Sequence, residues 1–328
     1  METFNTQLRA VIHDHFEDKK SLAVAELADV LHLNKKALYR RLSGETAFSF
    51  EEACLVAQAL DVSLDRIAQQ STNRVFCTPH FFNNRERSFY QFLKNVCDQL
   101  EQIVQQPNGN LYYATRGLPL FLYLDQPELL AFKLYVWDIG SWNKERIHQS
   151  QFSFDLLGEE ERELAARIYD LYCQIPTYEI WNNSILESSL EQIQYLRDVQ
   201  LFDDDQVIHT LAESMYKSIQ KARDWSVSGS KDGQADFHLY QIELFNSTNN
   251  VLYFESDQTR LVNWTFCDPD HLTSADPVLC DRAWMWLQQL MQQANPVSTH
   301  AFRLRSSYFE QLGDYFKFKD EQSVIENE

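Results

Sequence analysis

The sequence predicts a mainly α-helical protein: a five-helix N-terminal domain, then a longer helical region, then a small α+β part with an antiparallel β-meander. Three observations carry this. Within the first 70 residues, turn signals divide the chain into five short helical stretches. From about 83 to 224, apolar residues recur at three- and four-residue steps, as they do on a helix with one buried face. Beyond 236 that period gives way to "FHLYQIELF", "NVLYFES" and "RLVNWTFC", runs rich in aromatic and β-branched residues that suit a pleated surface.

In chain order, residues 1–70 form the first domain, and 71–82 read as a linker. "QQSTNRVFCTPHF" loses the helical period, gains Ser, Thr and Asn, and contains Pro79. In the helical region 83–225, Phe89, Phe92, Leu93, Val96, Leu100, Ile103 and Val104 share one face. "PELLAFKLYVW", "GEEERELAARIYDLYCQI", "SILESSLEQIQYLRDVQLF" and "DDDQVIHTLAESMYKSIQKA" continue it, the last three opening on acidic or Ser-rich turns suited to helix N-termini. No steady 34-residue period accompanies these helices, which argues against a tetratricopeptide array. "SVSGSKDGQAD", 226–236, has the composition of a flexible joint. Region 237–328 then supplies three strands, separated by "NSTN" and "DQT", and two helices at roughly 278–293 and 301–317.

The composition, 44% hydrophobic and 23% charged with 8 Gly and 8 Pro, is that of a globular chain rather than a disordered one. The most apolar run, "LPLFLYLDQPELLAFKLYVW", is broken by Asp125, Pro127, Glu128 and Lys133, so no membrane span is expected; the N-terminus lacks a signal-peptide pattern. Six widely spaced cysteines without a CxxC pair fit reduced thiols in a cytoplasm. A formal charge of -19 excludes a generally basic surface but leaves room for a local patch. Residues 1–70 carry 8 Lys and Arg against 11 Asp and Glu, so most of the acidity lies beyond them.

One such patch stands out. "NKKALYRR" places Lys35, Lys36, Arg40 and Arg41 inside seven residues, and Val30 through Gly44 contains no acid. Asn34 is a strong N-cap, and Gly44 sits where a left-handed residue would end the helix. Ser49 and Glu52 have the spacing of a capping box for the next helix. With Leu38 and Leu42 facing a core, about 100 degrees per residue puts Lys36 and Arg40 almost opposite them, with Ala37, Tyr39 and Ser43 at the borders.

These residues give "LAVAELADVLHLNKKALYRRLSGE" a resemblance to the helix-turn-helix of Cro/C1-type transcriptional regulators, and "SFEEACLVAQALDVSLDRIA" is similar to the two helices completing that domain. The resemblance covers about residues 3–70. It departs from the pattern at His32, where the family has Gly in the turn, and at Ala23, where a Ser or Thr cap is usual. It implies double-stranded DNA as partner, with the second helix of the motif in the major groove. Lys35, Lys36, Tyr39 and Arg40 are then the expected base readers, Asn34 and Arg41 the phosphate contacts, and Ser43 a border contact. It also implies a homodimer on palindromic half-sites. Helices between 83 and 224, whose long apolar faces need cover, are the expected dimer contact.

Other constellations read more plainly. His13 and His15, two apart on a helix, cannot share a metal ion. "CDPDH", Cys267 to His271, reads as a turn beside a buried thiol rather than a zinc site. "DDD" at 203–205 suits a helix N-terminus. No phosphate loop, GxSxG, HExxH or dinucleotide fingerprint is present, so neither an enzyme nor a bound cofactor or metal is expected. Aromatics in "NLYYATRGLPLFLYL", "KLYVWDIGSW", "FHLYQIELF" and "RAWMW" chiefly suit a core, though they also suit a pocket for a small-molecule or peptide effector. The competing readings are a helix-turn-helix kept for protein contacts and an enzyme with an accessory DNA-binding domain.

Overall fold

A computed structural model describes residues 3–16, 18–68, 75–82, 88–142, 151–244 and 249–325. Its contacts divide the chain into two units, Met1–Arg74 and Val75–Glu328. In the first, helices α1 (Phe4–His15), α2 (Lys20–Val30), α3 (Lys35–Ser43), α4 (Phe50–Ala59) and α5 (Leu64–Ile67) enclose a core that includes Leu8, Ile12, Leu27, Leu38, Val56 and Ile67. Local chemistry explains most boundaries. Thr3, Asn34 and Ser49 cap α1, α3 and α4 by accepting backbone N–H groups, and Ser49 and Glu52 complete a reciprocal capping box.

The second unit is mostly helical around a single mixed sheet. Its helices are α6 (Ser88–Val104), α7 (Leu120–Tyr123), α8 (Pro127–Trp142), α9 (Glu159–Cys173), α10 (Glu187–Asp198), α11 (Gln206–Ser228), α12 (Pro277–Gln293) and α13 (Phe302–Ile325). Its strands are β1 (Thr78–His80), β2 (Asn110–Thr115), β3 (Thr177–Trp181), β4 (Phe237–Gln241), β5 (Val251–Glu255), β6 (Arg260–Cys267), β7 (Asp270–Ser274) and β8 (Asn295–Pro296). Among the described residues these eight lie in the order β1-β7-β6-β5-β2-β3-β4-β8.

The mainly helical class holds, but the meander needs correction. β5, β6 and β7 do form an antiparallel run. "FHLYQ", expected to begin it, instead lies parallel to β3, which lies parallel to β2. The expected helical region 83–225 therefore shares one sheet with the later α+β part, and β1 comes from the segment read as a linker. "NLYYAT" and "TYEIW" escaped a strand reading because both faces of the sheet are covered. Such strands read as short apolar runs without alternation, indistinguishable by period from pieces of helix. Residues 245–248, the end of "FHLYQIELF" and most of the NSTN turn, and 71–74 of the linker lie outside the described residues.

Alternate side chains of each strand serve different layers. Leu111 and Tyr113 of β2 join the large core built with α6, α9 and α11, while Tyr112 and Ala114 face a smaller core with Cys280, Ala283 and Leu287 of α12. The apolar face of α6, including Phe89, Leu93 and Leu100, is buried within this chain. That removes the reason given for assigning it to a dimer contact.

The segment 226–236, expected to be a flexible joint, is anchored in the second unit at Ser226 and Lys231, while most of its residues are exposed. Gly229 (φ 76°) ends α11, and Ser226 and Lys231 have no exposed surface. Lys231 Nζ donates to the carbonyls of Tyr172 (2.5 Å) and Ile175 (2.6 Å) and to Thr177 Oγ1 (2.7 Å), filling acceptors where α9 turns into β3. Burial lowers its pKa to about 7. Nearby, the fully buried Glu179 accepts from the Tyr172 hydroxyl and from Trp181 Nε1 (2.6 Å); burial raises its pKa to about 7.

Candidate nucleic-acid interface

The expected site residues lie on or beside α3, whose position is set by four local devices. α2 begins before Ala23, at Lys20, and its N-cap Lys19 makes no side-chain cap bond, so Ala23 lies within the helix rather than at its cap. It ends at Leu31, after which His32 takes φ 51° and Leu33 N–H returns to the Ala28 carbonyl at 3.0 Å. Histidine thus adopts the left-handed conformation for which glycine is usual. Asn34 Oδ1 accepts from Ala37 N–H at 2.9 Å and starts α3. Gly44 (φ 85°) stops it; a Cβ there would come 3.3 Å from Arg9 Cζ, so shape and φ both favour glycine.

Leu38 and Leu42 are buried and hold α3 against its unit. Lys35, Lys36, Tyr39, Arg40 and Ser43 are exposed on its other faces, as is the cap Asn34. Lys35 and Lys36 have no ion-pair partner among the described residues. Arg40 reaches Glu45 through Nε at 3.2 Å, with side chains 57% and 65% exposed, so water screens the pair and the guanidinium stays available to an anion. Ser43 Oγ donates to the Arg40 carbonyl at 3.2 Å.

Arg41 is placed otherwise. Its side chain is 19% exposed and grips Glu52 with two parallel bonds, Nε–Oε2 at 2.8 Å and Nη2–Oε1 at 2.9 Å. Glu52 Oε2 also accepts from Ser49 N–H at 2.7 Å. One carboxylate therefore both caps α4 and ties α4 to α3. The Arg41 hydrogen bonds hold Glu52 below the ordinary carboxylate range, and the same contact raises Arg41. A residue read as a phosphate contact is a strut behind the helix. The sequence could have hinted at this, since Glu52 needs a cation once α4 folds back.

Two neighbours of the ridge went unread. Glu45, one residue beyond the acid-free stretch, brings a negative charge to Arg40. Phe50, 75% exposed at the start of α4, offers an apolar surface no core uses. What the arrangement can do is hold an anion. Lys35, Lys36 and Arg40 supply charge-assisted donors, and the helix N-terminus adds a partial positive charge.

Among the described residues, no group of three or more His, Cys, Asp or Glu could hold a metal ion, and no helix is long and apolar enough to cross a membrane. Cys280 is buried with its Sγ 3.7 Å from the carbonyls of Arg260 and Ser274, whereas Cys267 is exposed. Comparison with family models, curated proteins and solved structures finds no match to the chain.

Proposed function

We propose that the protein is a sequence-specific DNA-binding transcriptional regulator of Cro/C1 type, with α3 as the helix that reads the major groove. The observation that carries this reading is the outward face of α3. Lys35, Lys36, Tyr39 and Arg40 stand exposed together on a helix fixed at both ends, inside a chain of net charge -19. A solvated helix face chosen for solubility in so acidic a protein would not exclude acids over fifteen residues. Lys and Arg donate to guanine O6 and N7, and Tyr39 offers a ring and a hydroxyl at the border. Asn34 and Ser43 flank these as backbone contacts; Arg41 acts through its hold on Glu52.

In this reading the protein works in the cytoplasm as a homodimer on half-sites one helical turn apart, and it binds rather than transforms its target. Selection of duplexes from a random pool by the purified full-length protein tests it, with Lys36→Glu/Arg40→Glu as control. A recovered palindrome whose affinity falls steeply with salt and with the double reversal supports the reading. Affinity unmoved by the reversal, in a protein that still folds, leaves α3 as a scaffold for protein contacts instead.

A further inference from the structure

The second unit contains a lined cavity that the DNA reading does not use. It has a volume of about 140 Å³ and lies between one face of the sheet and helices α6, α8 and α10. A more polar pocket of about 430 Å³ adjoins it, and Gly117, Ser188, Asn250, Thr265 and Asp268 line both. The position has a topological cause. From β2 the chain steps outward to β3 and β4, then returns to place β5 on the other side of β2. Here the carboxyl ends of the parallel β2 and β3 lie beside the amino end of the antiparallel β5, which Asn250 precedes. Gly117 follows β2 there, and Asn182 and Ser184 follow β3.

Phe92, Val96, Phe121, Trp137, Phe254 and Leu261 form the apolar wall. Set into it are a cation and a carboxylate that do not touch. Lys133, 8% exposed, gives two of its three N–H groups to Ser189 Oγ (2.7 Å) and Gln192 Oε1 (2.9 Å), and keeps one. Asp268, where the two pockets meet, makes no hydrogen bond or ion pair among the described residues. Each still feels the other: Lys133 lowers the Asp268 carboxyl and Asp268 raises the Lys133 ammonium, against a larger opposing effect of burial. Burial brings Lys133 down to about 8, so it remains mostly a cation at neutral pH. Asp268 is exposed as a residue, and the protein atoms around its carboxyl raise it from the ordinary carboxylate value. Beside them, Asn263 Oδ1 is buried without a partner, the polar member of a β6 face whose Leu261 is apolar.

A cation and a carboxylate that line one cavity without pairing constrain the occupant. A simple anion would satisfy Lys133 and repel Asp268, and a simple cation would do the reverse. The first leaves the Asp268 carboxylate facing a like charge, and the second leaves the buried Lys133 uncompensated. We propose that the cavity binds a small zwitterion with an apolar side group, of the chemistry of a free aromatic or branched-chain α-amino acid. Its carboxylate takes the remaining Lys133 N–H, its ammonium donates to Asp268 and Asn263 Oδ1, and its side group lies among Phe92, Val96 and Trp137. A dry cavity of roughly 150 Å³ accommodates one benzene ring, so the cavity holds the side group and the polar end extends toward the adjoining pocket.

Calorimetric titration of the full-length protein with the apolar L-amino acids tests this, and it needs no DNA. The tightest binder is then compared with its analogue lacking the amino group and its analogue lacking the carboxylate. At least one amino acid should bind saturably, with each analogue weaker by about tenfold or more. Lys133→Met should erase the preference for the carboxylate, and Asp268→Asn the preference for the ammonium. Should Lys133→Met fail to fold, Asn263→Leu provides the second variant, with selective loss of affinity for the two ammonium-bearing compounds. No binding by any apolar amino acid at millimolar concentration overturns the proposal. So does equal affinity for amino acid and desamino analogue, or discrimination that survives in the folded variants.

Discussion

The two units of the chain treat charge in opposite ways. The N-terminal unit displays Lys35, Lys36 and Arg40 on an open helix face and half-buries Arg41, which meets its acid through two bonds. The second unit buries Lys133, Lys231 and Glu179 among aromatic rings and satisfies each mainly with neutral groups. The lesson is that a charged residue's position in the local pattern reports its use only where the partner is also local. α3 can be read from its own nine residues; Lys231 cannot be understood without α9 and β3.

The comparison breaks most sharply at Lys231. Lys231→Met removes three hydrogen bonds from a dry core, leaving the Tyr172 carbonyl with Ile175 N–H and the Ile175 carbonyl with the Thr177 hydroxyl as remaining donors, and is expected to cost about 3–4 kcal/mol of second-unit stability at roughly 1 kcal/mol or a little more per bond. All seven tryptophans lie beyond residue 130, so tryptophan fluorescence during urea unfolding reads this unit alone. An unchanged midpoint would mean the segment 226–236 is as loose as its composition suggests. The neighbouring carboxyl adds a pH signature. Glu179 has a folded pKa of about 7 against the ordinary 4.5, so its contribution is fully present below pH 4.5 and lost as pH rises to about 7. Relative to Glu179→Gln, the wild type should lose stability across that window; parallel curves would show that Glu179 is not held as described.

Next in size is the effect on the open face. Lys36→Glu/Arg40→Glu should lower duplex affinity by about 2–4 kcal/mol, from two contacts of about 1–2 kcal/mol each, in a filter or fluorescence-anisotropy titration. The tryptophan-monitored unfolding curve should not move. A shift in that curve would mean the two units are not separate in their use of charge.

How legible each unit was follows from the same distinction. The Asn34 cap, the Gly44 stop, the left-handed His32 and the Ser49–Glu52 box each depend on residues within a few positions, and each is visible in the sequence. The β2–β3–β4 ladder depends on pairing across long helical insertions. β2 and β3, covered on both faces, carry no alternation to betray them. The aromatics of "NLYYATRGLPLFLYL" and "KLYVWDIGSW" were read as core with some pocket lining, and Tyr113, Phe121 and Trp137 do line the cavity. Those of "RAWMW" pack on the opposite face with α12. Lys133, in sequence merely an interruption of an apolar run, owes its place to Ser189 and Gln192 more than fifty residues away.

Arg41 tests the boundary between the two treatments of charge, since it lies on the displayed helix but is used as a buried strut. Arg41→Ala should cost about 1 kcal/mol of N-terminal stability, within the range for well-formed ion pairs. Circular dichroism of a fragment ending near residue 74 would show this directly if that fragment folds. In the full chain, hydrogen exchange of α3 and α4 amides gives the same measure. Glu52→Gln should weaken the unit similarly, and the double variant should cost less than the two losses added, because both remove one contact. Additive losses would separate the two residues and return Arg41 to the DNA-facing set.

The smallest effect is the acid response of that pair, and its sign is opposite to that of Glu179. Glu52 is held below the ordinary glutamate value of 4.5, first by Arg41 and also by Ser49 N–H. Its contribution is therefore present above pH 4.5 and is lost as pH falls through the lower folded value. Between neutrality and pH 4.5 the Glu179 contribution to the second unit grows while that of Glu52 to the first is unchanged; below 4.5 only Glu52 is still titrating. Exchange protection of α4 amides should accordingly fall below pH 4.5 faster in the wild type than in Glu52→Gln. Equal slopes would mean that the carboxylate gains nothing from Arg41, and the strut would reduce to a surface contact.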